Sequence, residues 1–144
     1  MIKAANSEDI AEFVQATSYN PTGQFKAIKL VDEADEIQAM AGYDFWTPNA
    51  VQMHIWIKHP EAYLSKEFIQ EGFGYPFNSG RNLVIGVTPG DNTRALEFNR
   101  KIGFRETYRV KDGWSAGTDM VIQEMRRDEC RWIPRRNHNG NGQS

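Results

Sequence analysis

The sequence predicts one domain of the α/β (α+β) class over residues 1–133, followed by a flexible polar tail over residues 134–144. Apolar residues make up 40% of the 144 residues, which is enough for a single packed core. Short runs rich in β-branched and aromatic residues alternate with amphipathic stretches, in the order β-α-β-β-β-α-β-α-β-β. The tail has no large apolar side chain to bury, so we expect it to be mobile.

The first predicted elements are a short strand at residues 1–4 and a helix from Glu8 to Thr17. Ser7 is a good N-cap, and the acidic residues of the first turn suit the positive end of the helix dipole. One face of the helix is apolar and comprises Ile10, Phe13 and Val14.

Two strands joined by a hairpin are predicted next. Residues 18–23 contain Asn, Pro and Gly and therefore indicate a turn, and residues 25–31 alternate in part between apolar and polar side chains. Residues 32–35 connect this second strand to a third one at residues 37–43. Gly42 in the third strand is typical of a bulge or of a close backbone approach.

The fourth strand and the helix after it form the centre of the chain. Residues 51–57 are apolar enough for a central strand, and Pro60 suits the first turn of a helix that we expect to end at Glu71. The alternation places Val51, Met53, Ile55 and Ile57 on one face of the strand and Gln52, His54 and Trp56 on the other. The residues of the helix predicted to face inward are Tyr63, Leu64 and Phe68.

The fifth strand, residues 83–87, leads into another amphipathic helix. Asp91 or Asn92 caps its start, and Gly103 ends it in the left-handed conformation that glycine adopts at little cost. The buried side of this helix comprises Ala95, Leu96, Phe98 and Ile102. A final hairpin is predicted from residues 104–110 and 118–125, joined by residues 111–114.

Composition excludes several classes of site. The single cysteine, Cys130, excludes a disulfide within the chain, and no closely spaced Cys or His pair indicates a metal site. No apolar run approaches the roughly 20 residues that span a bilayer, and no export segment is evident, so we expect a cytoplasmic protein without membrane contact.

Charge is distributed unevenly along the chain. Residues 1–75 carry 5 Lys or Arg against 11 Asp or Glu, whereas residues 76–144 carry 12 against 8. The basic second half suits an anionic cofactor or a phosphate backbone, although such clusters are more often solvated faces. We do not expect nucleic-acid binding.

The predicted helix after the fifth strand carries a recognisable pattern, with Asn92, Ala95, Gly103 and Phe104 at fixed spacing. This pattern resembles the second cofactor-binding motif of the GNAT N-acyltransferases, and the resemblance extends over residues 83–125. It implies the GNAT fold: a mixed, mostly antiparallel sheet in which strands four and five splay apart and admit the pantetheine arm of acetyl-CoA. Asn99 stands where the family usually has the Tyr that protonates the departing thiolate.

The phosphate-binding loop of the family is absent. Its usual pattern, Gln/Arg-x-x-Gly-x-Gly/Ala, aligns with Leu64, Ser65 and Glu67, which replace the Arg or Gln and the two glycines. A carboxylate at this place would repel a diphosphate, and a Cβ would block its approach. The alternative is that cationic residues hold the phosphates, namely Lys58, His59 and Lys66.

Acetyl transfer to an amine needs a base, an oxyanion donor and an acid for the thiolate. His54 is the titratable group of strand four, and an unshifted pKa near neutrality would suit a base; the alternative is a packed sheet histidine. Asn99 can donate a hydrogen bond to sulfur but cannot protonate it, while Tyr43 and Tyr108 are candidate acids or sheet aromatics. The resemblance places acetyl-CoA along Ile55, Trp56 and Ile57 and along Asn92, Arg94, Ala95, Phe98 and Asn99. Arg94 either touches the 3′-phosphate or belongs to a solvated face.

Two functions follow from these observations. The first is an N-acetyltransferase that transfers acetyl from acetyl-CoA to a primary amine of a small molecule or a protein. The second is a binding or structural protein that keeps the fold without the cofactor, for example in a bacteriophage, since small GNAT-like proteins of this size are encoded by phages. The many aromatic residues between Trp46 and Phe77 line a substrate cleft, form a homodimer contact or pack in the core.

Overall fold

The computed structural model describes residues 1–134; apart from Pro134, the predicted tail at residues 134–144 lies outside the described residues. Seven strands and three α-helices are present in this part of the chain. The strands are β1 (Ile2–Ala4), β2 (Lys26–Val31), β3 (Ile37–Asp44), β4 (Ala50–Ile57), β5 (Leu83–Pro89), β6 (Arg105–Ser115) and β7 (Thr118–Arg126). The helices are α1 (Ser7–Thr17), α2 (Lys66–Asn78) and α3 (Thr93–Ile102), with short 3₁₀ helices at Pro60–Leu64 and Arg127–Glu129. The predicted element order is confirmed.

One sheet contains all seven strands, in the order β1-β2-β3-β4-β5-β7-β6. Every neighbouring pair is antiparallel except β4 and β5, which are parallel. Their register is short, because it joins Ala50 to Leu83 and ends at Gln52 opposite Ile85. The rest of both strands runs on without this pairing. The mixed, mostly antiparallel sheet with splayed strands four and five is therefore confirmed.

The sheet is covered on both faces. Helices α2 and α3 pack on one face, where the larger core cluster lies, and α1 packs on the other face over β2, β3 and β4. The larger cluster includes Tyr43, Val51, Met53, Phe68, Phe73, Phe77, Val84, Ile102, Phe104 and Met125. The smaller cluster includes Phe13, Ala27, Val31, Ile37 and Met40. Burial of these two apolar groups supplies the main driving force for folding.

Helix α1 begins one residue earlier than predicted. Its N-cap is Asn6 and not Ser7: the Asn6 side chain accepts from the Asp9 N–H at 2.9 Å, and the Asp9 carboxylate accepts from the Asn6 N–H at 2.9 Å. This reciprocal capping box satisfies two donors that a helix start otherwise leaves unpaired. Asp9 also pairs with buried Lys29 on β2 at 2.7 Å, which fixes the helix to the sheet.

The segment after β4 differs most from its prediction. In place of one helix from Pro60 to Glu71, a 3₁₀ helix ends at Leu64, and α2 then starts after the N-cap Ser65 and continues through Gly72 to Asn78. Leu64 was predicted to face inward but is 85% exposed. This prediction was wrong because the 3₁₀ turn rotates the side chain outward.

Two unfavourable residues for a helix are accommodated inside α2. A Cβ on Gly72 would lie 3.1 Å from Met53 Cε, so glycine permits the close approach of helix and sheet. Pro76 lacks the N–H that would bond to the Gly72 carbonyl four residues earlier. The Tyr43 hydroxyl donates to that carbonyl instead, at 2.5 Å. The predicted stop at Gly72 was wrong because tertiary contacts compensate both residues.

The C-terminal elements follow the prediction with longer strands. Asn92 caps α3, and Gly103 ends it with a φ of 119°. β6 extends to Ser115 and the turn lies at residues 116–117, so residues 111–114 belong to the strand and not to the predicted connection. The sequence of residues 111–114 is typical of a turn, but these residues lie inside β6, where the pairing with β7 is irregular after Val110. Within residues 1–134, no helix is long and apolar enough to cross a membrane.

Candidate functional site

The divergence of β4 and β5 creates a gap in the sheet. Their pairing ends at Gln52 opposite Ile85, which leaves residues 53–57 of β4 and residues 86–89 of β5 without each other. On its other side β4 stays paired to β3 up to Ile57. The N–H groups of a strand alternate in direction, so some of the N–H groups from Met53 to Ile57 face the gap. A carbonyl group placed in the gap would meet these donors.

Helix α3 begins at the end of β5, on one side of the gap. Asn92 Oδ1 accepts from the Ala95 N–H at 3.2 Å, which satisfies one of the free donors of the first turn. Arg94 is exposed and Ala95 is half-buried. The four motif residues therefore all have structural roles: Asn92 caps, Ala95 receives the cap, Gly103 ends the helix and Phe104 is buried in the core.

Asn99 is buried and paired. Its Nδ2 donates to Gln123 Oε1 of β7 at 3.0 Å, and Gln123 Nε2 lies 3.5 Å from the Leu96 carbonyl. Asn99 and Gln123 are 9% and 3% exposed. The amide at the position of the usual acid is thus held between α3 and β7 by a partner that sequence reasoning missed. The alternation of β7 offered a signal, because Gln123 falls on the inward side with Val121 and Met125.

His54 lies on the other face of the sheet, below α1. Its ring is 4.0 Å from the ring of Tyr19, and its Nε2 atom is buried without a hydrogen-bond partner among the described residues. Burial lowers the pKa of His54 to about 4, against a smaller opposing effect of Asp44. The expected pKa near neutrality was wrong. His54 and Asn99, the two predicted catalytic residues, lie on opposite faces of the sheet.

Asp44, which the sequence reasoning did not select, organises the surroundings of His54. It is fully buried and accepts from the Tyr19 hydroxyl at 2.6 Å, from the Thr22 N–H at 2.8 Å and from the Thr22 hydroxyl at 2.5 Å. The Phe45 N–H donates a further bond at 3.0 Å. Burial acts to raise the pKa of Asp44, but these bonds outweigh it and hold the pKa below its ordinary value. The carboxylate thereby fixes the loop between α1 and β2 over β4.

The 3₁₀ helix at Pro60–Leu64 lies on the β4 side of the gap and reaches across to α3. The rings of Tyr63 and Phe98 meet edge to face, with centroids 4.9 Å apart. The Arg94 guanidinium lies 4.7 Å from the Tyr63 centroid. These contacts join the segment that follows β4 to the helix that follows β5.

The start of α2 is displaced from the gap. The Glu67 carboxylate in its first turn lies 3.5 Å from the amino group of Met1, beside β1, and β1 is three strands away from β4. The start of α2, where the sequence lacks the phosphate-loop glycines, therefore lies near the edge of the sheet. Lys58, one of the alternative phosphate ligands, pairs with Glu12 at 2.7 Å.

The remaining aromatic candidates are mostly structural. Tyr43 is fully buried, burial raises the pKa of its hydroxyl, and that hydroxyl is used by the helix carbonyl described above. Trp56 packs at 6.4 Å from Phe13 on the α1 face. Tyr108 is 65% exposed on the edge strand β6. Among residues 1–134, no group of three or more His, Cys, Asp or Glu could hold a metal ion.

The comparisons with known proteins bear on the fold. No family model matches the sequence, and no curated protein matches it. Among solved structures, the chain is similar to the spermidine/spermine N-acetyltransferase SpeG from Vibrio cholerae, with a TM-score of 0.75 and 10% identity over 89% of this chain and 95% of that one. It is also similar to a structure described as a phosphinothricin N-acetyltransferase, with a TM-score of 0.67 and 15% identity over 88% of this chain and 97% of that one. Together with the sheet order, the gap and the capped α3, these likenesses show that the chain has the fold of the GNAT N-acetyltransferases.

Proposed function

We propose that the protein is an N-acetyltransferase that transfers an acetyl group from acetyl-CoA to a primary amine. The observation that carries this proposal is the gap between β4 and β5, flanked on one side by the start of α3. The pairing of the two strands stops early, so the last four residues of β5 are not paired with β4. An extended pantetheine arm fits such an opening, because it can bond to the backbone groups that the strands no longer share.

The residues around the gap have separate roles in this proposal. Acetyl-CoA would supply an acetyl group activated as a thioester. The N–H groups of Ile55, Trp56 and Ile57 that face the gap would polarise the carbonyl oxygen. Asn92, Arg94, Ala95 and Phe98 of α3 would contact the cofactor, while Asn99 holds the floor of the site through Gln123.

Proton transfer is the weakest part of the site. His54 is neutral at pH 7, with a pKa of about 4, so it accepts a proton from an ammonium group only with difficulty. Its Nε2 atom is also buried on the α1 face of the sheet, beside Tyr19. We therefore propose that a chain of water molecules, and not His54, is the base. Because an amide does not release a proton near pH 7, water also replaces the usual tyrosine as the acid.

The acceptor is an amine of a small molecule or a protein. The similar structures are named for spermidine and for phosphinothricin, both acceptors with amino groups, and this is the support for an amine rather than an alcohol. One of the SpeG structures is described as dodecameric, which supports self-association, and we propose a homodimer at least. The cytoplasmic location stays a prediction.

A second function is favoured by specific observations. The start of α2 is displaced, the glycines of the phosphate loop are replaced, and Tyr63 contacts Phe98 across the gap. These features suit a protein that keeps the fold and binds no cofactor, acting as a binding or structural module, for example in a bacteriophage. The same fold serves many unrelated functions, so the likeness alone does not decide.

Amine-dependent release of the coenzyme A thiol separates the two functions. We expect release with at least one amine of a panel containing polyamines, amino acids and peptides. The variant Ala95→Glu places a carboxylate at the third position of α3, where it completes a capping box with Asn92 and so preserves the helix. It should abolish release by repelling the cofactor phosphates. The matched control, Gln15→Glu at an exposed position of α1, should retain it. No release with any amine would contradict the enzyme.

A further inference from the structure

The 3₁₀ helix at Pro60–Leu64 has an unusual set of contacts. Ala62 is 3% exposed and anchors it to the core, whereas its neighbour Leu64 is 85% exposed. Between them, Tyr63 projects toward α3 and packs against Phe98 and Arg94 at the distances given above. Ala62 thus anchors the segment to the core, while Tyr63 extends from it toward α3.

The position of Tyr63 follows from the chain topology. Pro60 follows β4 and Phe98 belongs to the helix that follows β5, so a contact between the two segments spans the opening between these strands. Phe98 packs against the same core cluster as Ile55 and Ile57, the residues of β4 beside the gap. The Tyr63 ring therefore lies over the gap on the face of the sheet that carries α2 and α3.

Tyr63 is the movable part of the segment. The backbone of the turn is held in place: the His59 N–H donates to the Gln38 carbonyl at 3.0 Å, the Ala62 N–H donates to the His59 carbonyl at 2.9 Å, and Ser65 caps α2. Ala62 is also buried in the core. The half-buried Tyr63 side chain is held by its ring contacts, so a change of its rotamer would open the gap without moving the backbone.

We propose that the Tyr63 side chain is a lid over the gap, closed by its contact with Phe98 and Arg94, and that it opens to admit an acyl-CoA. The proposal rests on the proposed function for the identity of the ligand only. The closed state lowers the apparent affinity by the fraction of molecules that are open. Arg94 has two states in this account: it covers Tyr63 when the lid is closed and faces the phosphates when it is open.

The lid can be tested without any cofactor. In a background with Cys130→Ala, which removes the native thiol, Ile55→Cys places a reporter beside the gap. We expect Tyr63→Ala to increase the rate of its modification by a maleimide by about tenfold, and Tyr63→Phe, which keeps the ring contact, to leave the rate unchanged. Tyr108→Ala removes an exposed aromatic ring on β6 and is the matched control. Equal rates in the Tyr63→Ala and parent proteins would overturn the lid.

Acetyl-CoA binding by the same variants then tests its ligand. We expect Tyr63→Ala to bind about tenfold more tightly than the wild type, because the closed state is lost. Weaker binding by this variant would overturn the lid, since it would make Tyr63 a cofactor contact. Faster modification with no acetyl-CoA binding by either protein would confirm the lid and refute the proposed function.

Discussion

The two sides of the gap have different relations to the family pattern. On the β5 side, α3 starts beside the gap with Asn92 as its cap, and the motif residues keep their places. On the β4 side, a 3₁₀ helix takes the place of the phosphate loop, and α2 starts near Met1 at the edge of the sheet. Motif residues that also cap or pack the fold are present, whereas residues that serve only phosphate binding are absent. A match to the first kind therefore supports the fold more than the activity.

The largest expected effect concerns His54 on the β4 side. Its pKa is about 4 in the folded state and near 6.5 when unfolded, so the unfolded state binds the proton more tightly. The stabilisation is complete above pH 6.5 and is lost as the pH falls from 6.5 through 4. We expect His54 to lower the free energy of unfolding by about 3 kcal/mol at pH 4 relative to pH 7.5.

Urea denaturation at a series of pH values measures this loss. The variant His54→Gln should lack it, whereas Asp9 and Asp44, whose pKa values are lowered, contribute to both proteins at the acid end. Parallel pH profiles in the wild type and the variant would show that His54 is not buried in its neutral form.

The next effect concerns the amide pair on the β5 side. Asn99→Ala leaves Gln123 Oε1 buried without its donor, and we expect a loss of about 2 kcal/mol in the free energy of unfolding. The double variant Asn99→Leu with Gln123→Met replaces both partners by apolar groups and should recover most of this loss. Chemical denaturation of these proteins and of the single variants Asn99→Leu and Gln123→Met measures the values. A double variant that loses as much stability as its two single variants together would contradict the pairing.

The two helix caps permit a direct comparison of the two sides. Asn92→Ala and Ser65→Ala each remove a side-chain acceptor of a helix N-terminus, so each should cost about 1 kcal/mol of stability. Only Asn92→Ala should also weaken acetyl-CoA binding, because only α3 starts at the gap. Thermal unfolding and calorimetry separate the two effects. Equal losses of affinity in both variants would place α2 at the cofactor after all.

The smallest effect is expected for the cationic residues near α2. Lys58 is paired with Glu12 and Lys66 lies in the displaced first turn, so neither is placed to hold phosphate. Lys58→Gln and Lys66→Gln should leave the acetyl-CoA dissociation constant within about twofold of the wild type. A tenfold loss in either variant would show that these lysines replace the missing loop.

Much of the fold was predictable because it depends on local signals. The alternation of residues 51–57 and the cap at Asn92 both act within a few residues, and both were confirmed. The length of α2 was not predictable, because Pro76 is tolerated only through the Tyr43 hydroxyl, which comes from a distant strand. Long-range compensation of this kind leaves no trace in the local pattern.

The candidate site was less predictable than the fold. His54 and Asn99 were selected by residue type and position, but their partners Tyr19 and Gln123 come from remote segments. Those partners determine that His54 is a weak base and that Asn99 is held in place. Asp44 was missed because three of its four hydrogen bonds come from the loop between α1 and β2, whose path the sequence does not define.

The central claim is that the gap between β4 and β5 binds an acyl-CoA. Calorimetric titration of the wild type and of Tyr63→Ala with acetyl-CoA tests it most directly, with desulfo-CoA and ATP as controls. We predict saturable binding with a dissociation constant on the order of micromolar for the variant, about tenfold weaker for the wild type, and lost in Ala95→Glu. No saturable heat from either protein up to millimolar acetyl-CoA would contradict the claim and leave a fold that serves contacts with other molecules.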